Sequence, residues 1–165
     1  MTPGRLKAAA KAALIHLLGG MAVAALAAGL IFGLWFPYPY NVILGGNTLF
    51  LLLCGVDVVC GPILTLVLYS PTKPRAKWLL DIGLILLVQL SALVYGLHSI
   101  ALTRSVWLAF EGDRLRIVKA VEVHGQYLPQ AQPGLAALPW TGPRLIAVRV
   151  LDKSDPAFLE SVQRA

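Results

Sequence analysis

Apolar residues gather in three long runs, 14–36, 49–69 and 78–100, separated by short polar or aromatic stretches. Each run has 21 to 23 residues, which as a helix rises about 32–35 Å and matches a ~30 Å hydrocarbon layer. The borders carry side chains suited to a membrane–water interface: Trp35, Tyr38 and Tyr40 after the first run, Tyr69 after the second, Trp78 before the third. The pattern predicts a three-span transmembrane domain over residues 1–100. Basic positions orient it. Arg5, Lys7 and Lys11 precede the first run and Lys73, Arg75 and Lys77 separate the second from the third, whereas 37–48 carries no charge. That asymmetry puts the N-terminus and the 71–77 loop in the cytoplasm, and three crossings then leave the chain after Ile100 outside. Arg104 and Arg114 oppose the trend without reversing it. The first run also has the basic start of a signal peptide, and Ala25-Leu26-Ala27 resembles a cleavage site. Its apolar stretch continues to Phe36, too long for a signal core, so an uncleaved anchor is expected.

After Ile100 the pattern changes in kind. Segments 105–110 and 114–119 are short and β-like around Glu111-Gly112-Asp113, which predicts a hairpin with a three-residue turn. Leu115 and Ile117 alternate with Arg114 and Arg116, as in a half-buried strand. Residues 126–143 hold four prolines and two glycines and read as loop. Residues 145–150 form a third strand candidate. Asp155-Pro156 then offers an N-cap and a first-turn proline for a short helix to about Arg164. The expected fold class is therefore membrane α-helical, with three transmembrane helices followed by a small extracytoplasmic α+β domain over 101–165. Its few apolar side chains make a thin core that leans on the membrane or a partner.

Composition agrees with this class: 58% of residues are apolar, 13% are charged and the mean hydropathy is +0.74. The net charge is +6, but its basic residues flank apolar runs instead of forming a stripe, so no nucleic-acid partner is expected. Cys54 and Cys60 lie about 9 Å apart in rise and ~120° apart around a helix, beyond the ~7 Å reach of a disulfide. They read as small packing residues.

Asp57 is the sharpest chemical signal. It falls near the middle of the second run, where a carboxylate costs about 2.5–3.5 kcal/mol on insertion scales. Such a group should face protein or a wet cavity. On a helical projection Cys54, Asp57, Gly61 and Thr65 share one face, a small polar stripe, and Pro62 frees the carbonyl of Val58 and predicts a kink. The third run has a matching stripe of Asp81, Ile85, Gln89, Ala92, Gly96 and Ser99, with Gln89 at the depth of Asp57 in an antiparallel pair. Three roles stay open for Asp57: a packing hydrogen bond to Gln89, recognition of another transmembrane helix, or proton transfer. Asp81 lies four residues after Lys77, the spacing of a snorkelling ion pair. Ala25, Gly29 and Gly33, spaced by four, read as a close-packing face of the first span against the other two, or against a foreign helix.

His16, His98 and His124 are scattered, and each reads as a satisfied or solvated side chain; neither a metal site nor a cofactor is expected. No nucleophile–base pair, phosphate loop or paired carboxylates point to an enzyme.

Several segments carry a family likeness. Residues 47–62, with the Gly-Val-Asp-x3-Gly-Pro core from Gly55 to Pro62, resemble the second-span signature of bacterial type IV pilin accessory proteins of the TfpX/TfpZ type. So do Ser70-Pro71-Thr72-Lys73, residues 90–96, Trp107-Leu108-Ala109-Phe110-Glu111 and Leu138-Pro139-Trp140-Thr141-Gly142-Pro143. The likeness covers residues 16–150 and implies a non-catalytic inner-membrane chaperone that stabilises the major pilin and promotes pilus assembly. Cys54, Asp57, Gly61, Pro62, Thr65 and Gln89 would then meet the pilin helix or pack the spans, and Trp107, Phe110, Glu111 and Trp140 would meet the pilin head. The alternatives are a small oligomeric channel or transporter subunit using Asp57, and a membrane enzyme that modifies pilins.

Overall fold

The computed structural model describes residues 3–148. The helix expected over 155–164, and the end of the expected third strand at 149–150, lie outside the described residues. The chain divides into two compact units between Arg104 and Ser105.

The first unit is helical. Helix α1 spans Pro3–Leu30 and continues as a π-helical turn, Ile31–Trp35. A short helix, α2 (Tyr40–Ile43), leads into α3 (Gly46–Leu68), and α4 spans Arg75–Thr103. Three of these helices, Gly4–Trp35, Gly46–Leu68 and Arg75–Thr103, are long and apolar enough to cross a membrane. The first begins well before the apolar run. Its opening turns are rich in alanine, the best helix former, so Arg5, Lys7 and Lys11 prolong the helix instead of ending it.

Helix α3 is central and packs against both α1 and α4. Most of the large apolar side chains of all three helices point outward, as lipid-facing positions do. One end of the unit closes on Ile31, Trp35, Phe36 and Ile100, with Phe32 and Phe50 edge to face at 5.2 Å. Gly46 lies under the Phe36 ring, where an added Cβ would stand 3.2 Å from ring carbons. Gly96 performs the same service between α3 and α4, since a Cβ there would run into Leu53. The Ala25, Gly29 and Gly33 face turns out differently from the favoured expectation. All three residues are exposed, and α1 instead buries Ala9, Ala27, Ile31 and Trp35. An alanine-rich helix has small residues on every face, so their spacing alone does not select the packed one.

In the second unit β1 (Ser105–Phe110) is the middle strand of the order β2-β1-β3. It pairs antiparallel with β2 (Leu115–Lys119) and parallel with β3 (Arg144–Ala147). The hairpin is present, with a tighter turn than expected. The Glu111 N–H donates to the Arg114 carbonyl at 2.9 Å, so Gly112 and Asp113 alone form the tip. Gly112 takes φ +88°, a left-handed value suited to glycine. Val106, Trp107 and Ala120 form the core, joined by Val118, Leu135, Leu138 and Ile146. Directly paired residues share a face, so the Trp107–Val118 pairing selects Val118 for the core and turns Leu115 outward, 57% exposed. The expectation that Leu115 and Ile117 form the apolar side of a half-buried strand is thereby corrected at Leu115, while Ile117 is half-buried.

Candidate functional site

The centre of the helical unit holds a chain of polar groups contributed by all three long helices. His16 of α1 meets Thr65 of α3 through Nδ1 at 2.7 Å and Gln89 of α4 through Nε2 at 2.9 Å. The Gln89 amide nitrogen donates to the backbone carbonyl of Asp57 at 2.9 Å. These contacts assign the protons on the Gln89 side of the chain. Gln89 Oε1 can only accept, so His16 Nε2 carries the hydrogen and Nδ1 accepts from the Thr65 hydroxyl in the neutral imidazole. The result is one connected series, Thr65 to His16 to Gln89 to the Asp57 carbonyl, which gives both ring nitrogens of His16 and both ends of the Gln89 amide a partner. Gly61 makes room for it: an added Cβ would stand 2.7 Å from His16 Nε2 and 2.9 Å from Gln89 Oε1.

Expectations change at Gln89 and at Asp81. Gln89 lies at the depth of Asp57, but it bonds the main chain of that residue, not its carboxylate. His16, expected as a satisfied or solvated side chain, is satisfied, and in being so it joins all three long helices. Pro62 sits inside α3, which runs from Gly46 to Leu68, and the Gln89 amide goes to the Asp57 carbonyl instead of the Val58 carbonyl that Pro62 frees. Asp81 is ion-paired, though with Lys73 in place of Lys77.

Among the described residues no side chain donates to the Asp57 carboxylate. Asp57 lines a cavity of about 90 Å³ whose wall comes from all three helices: Gly20 and Ala24 of α1, Cys54 of α3, Gln89 and Leu93 of α4. A water needs ~10–15 Å³ of such space, so the cavity has room for the end of a side chain. Cys54 is buried at its edge, and Cys60 is exposed. Apart from Gln89 and Cys54 the wall is apolar, which makes Asp57 the one acidic group of the cavity.

The second unit separates the four residues expected to act there. Trp107 is only 6% exposed and serves the core, while one side of it lines a cavity of about 380 Å³ with Glu122, His124 and Tyr127. Glu111 accepts from Arg114 Nε at 2.8 Å and lies 4.0 Å from Arg116. That hydrogen bond and the charge of Glu111, with the charge of Asp113, hold the Arg114 guanidinium above its ordinary value. Phe110 and Trp140 are exposed, 45% and 59%.

Comparison with known proteins places the chain. A family model described as fimbrial assembly protein FimB matches residues 4–45. The fimbrial assembly protein of Dichelobacter nodosus serogroup I is 44% identical over 149 residues, 90% of this chain and 58% of that protein. The serogroup E1 protein is 43% identical over the same shares. The protein of serogroups C1 and C2 is 45% identical over 131 residues, 79% of this chain and all of that relative. The chain thus spans 58% of the length of the serogroup I and E1 proteins. No solved structure matches it. A relative matched along its whole length at this identity decides the matter: the chain belongs to the fimbrial assembly protein family.

Proposed function

We propose that this protein is a type IV pilin accessory protein of the TfpX/TfpZ type, a non-catalytic chaperone that holds the major pilin in the inner membrane before assembly. Its N-terminus lies in the cytoplasm and its second unit in the periplasm, a reading supported by the basic residues at one end of the spans. One observation carries the reading. The spans are fastened to each other through His16, Thr65 and Gln89, and the Asp57 carboxylate is left over, facing a cavity. A carboxylate at this depth that does no packing is kept for something that arrives. A membrane-anchored pilin helix fits that description, and Phe110 and Trp140 offer the second unit aromatic contacts for the pilin head.

The test is co-purification from membranes. Asp57→Asn should accumulate to the normal level while the amount of major pilin recovered with it falls at least several-fold. Deleting the protein should lower pilin abundance or surface pili. Unchanged recovery with the Asn variant would remove Asp57 from recognition, and unchanged pilin and pili in the deletion strain would reject the chaperone role.

A further inference from the structure

At its basic end the helical unit carries two adjoining cavities that neither the polar chain nor Asp57 uses. One, of about 550 Å³, is lined by Lys11, Ile15 and His16 of α1, by Thr65 of α3 and Tyr69 just after it, and by Trp78 and Ile82 of α4. Lys11 lies five residues before His16, about 7.5 Å of helical rise, so this cavity runs from the basic end down to the polar chain. Its wall is otherwise apolar. The other, of about 400 Å³, is lined by Tyr69, Ser70, Lys73, Arg75 and Trp78. Tyr69 and Trp78 stand edge to face with ring centroids 6.4 Å apart and belong to both walls, so the cavities meet across this pair.

The charges are unevenly committed. Lys73 is ion-paired with Asp81. Lys11 and Arg75 are exposed, and neither has a hydrogen bond or ion pair among the described residues. A pocket with an unpaired guanidinium and the Ser70 hydroxyl, which also bonds the Thr72 hydroxyl at 3.0 Å, therefore opens beside a more apolar pocket with an unpaired ammonium. Amphipathic rings of the kind that settle at headgroup level stand between them.

We propose that this double cavity is a binding site for one anionic phospholipid. The phosphate lies beside Arg75 and the Ser70 hydroxyl, and one acyl chain enters the larger cavity past Tyr69 and Trp78, alongside the Lys11 stem. Both cavities fall within the ~300–1,000 Å³ range of small-molecule sites. Basic pockets between transmembrane helices attract anionic headgroups, and unpaired cations favour them over zwitterionic ones. A free phosphate ion would fill only the polar half. The site stands apart from the pilin reading, since it needs only that the three helices lie in a bilayer. The occupied groove would wedge α1 against α4 at the end where Arg5 Nη2 already reaches the Val67 carbonyl at 3.3 Å.

Trp78 is a built-in reporter. The full-length protein is reconstituted in phosphatidylcholine vesicles containing increasing fractions of phosphatidylglycerol or phosphatidylcholine with brominated acyl chains, which quench tryptophan on contact. Subtracting a Trp78→Phe variant isolates the signal. Brominated phosphatidylglycerol should quench Trp78 at roughly one tenth of the mole fraction that the brominated phosphatidylcholine needs. Lys11→Gln combined with Arg75→Gln should abolish that preference, while Lys7→Gln, which touches neither cavity, should keep it. Inorganic phosphate at matched ionic strength should not displace the lipid. Equal quenching by the two lipids would overturn the proposal, whether the groove then holds bulk lipid or a protein helix. So would a preference lost equally with Lys7→Gln, which would mark a general field of the basic end, or displacement by phosphate, which would mark a site for a soluble anion.

Discussion

The polar chain through His16 and Gln89 makes a quantitative demand on how the three helices hold together. Interhelical hydrogen bonds in membranes are worth about 0.6 kcal/mol on average and at most ~1.7 kcal/mol. Gln89→Ala removes two of them, to His16 and to the Asp57 carbonyl, and strands the His16 Nε2–H, so it should cost about 1–3 kcal/mol. His16→Ala removes the bonds to Thr65 and Gln89 and should cost a similar amount. Because they share one bond, the double variant should lose less than the sum of the singles by about 0.6–1.7 kcal/mol. The assay is equilibrium unfolding in mixed micelles by titration with SDS, followed by circular dichroism. A second cycle pairs Gln89→Ala with Asp57→Asn. Since Gln89 bonds the main chain of Asp57, these two effects should add within ~0.5 kcal/mol. A His16–Gln89 coupling below ~0.3 kcal/mol, or a larger one between Asp57 and Gln89, would refute the reasoning and restore a carboxylate–amide bond as the fastener.

Gly61→Ala should destabilise the helical unit by about 1–3 kcal/mol in the same titration, because its methyl group would displace His16 and Gln89. Gly29→Ala, facing outward with nothing within 4 Å of an added Cβ, should change stability by less than ~0.5 kcal/mol. Gly112→Ala places a side chain at φ +88° and should cost about 1–2 kcal/mol, read as faster proteolysis at the hairpin tip in intact vesicles. Asp81→Asn should matter little, within ~1 kcal/mol, since both partners of its ion pair are about a quarter exposed, 27% and 28%.

Much of this layout is legible in the sequence, and the exceptions share a cause. Hydropathy locates the three long helices, and a short β-like run places β1 at 105–110, because both signals are local. Asp57, Gly61 and Thr65 are placed on a protein-facing stripe by helical periodicity alone. His16 is not found that way. The apolar run starts at 14, which puts His16 at its edge, whereas the helix begins at Pro3 and makes it an interior residue. A usable signal exists in the spacing of Ala9, His16, Gly20, Ala27 and Ile31, alternately seven and four residues apart, the seam of a helix packed along a neighbour. It is masked by alanine and glycine on the other faces. The inward turn of Val118 and outward turn of Leu115 depend on cross-strand register with Trp107, a pairing that no single segment encodes.

If Asp57 is held for a partner, it should weigh against the stability of the protein alone. The three bonds of the polar chain together contribute on the order of 2 kcal/mol. A carboxylate at mid-bilayer costs about 2.5–3.5 kcal/mol, while leucine is favoured there by about 0.3–0.6 kcal/mol. Asp57→Leu should therefore stabilise the purified protein by roughly 1–3 kcal/mol against SDS. The same variant should recover less pilin from membranes, because the acceptor is gone while the fold is firmer. A residue that serves packing gives the opposite pair: lower stability, with pilin lost only as the protein itself disappears. Opposed changes in the two measurements identify a side chain retained at the expense of the fold, the usual mark of a binding position. Destabilisation by Asp57→Leu would instead make the carboxylate part of the scaffold and leave recognition of the pilin to the second unit.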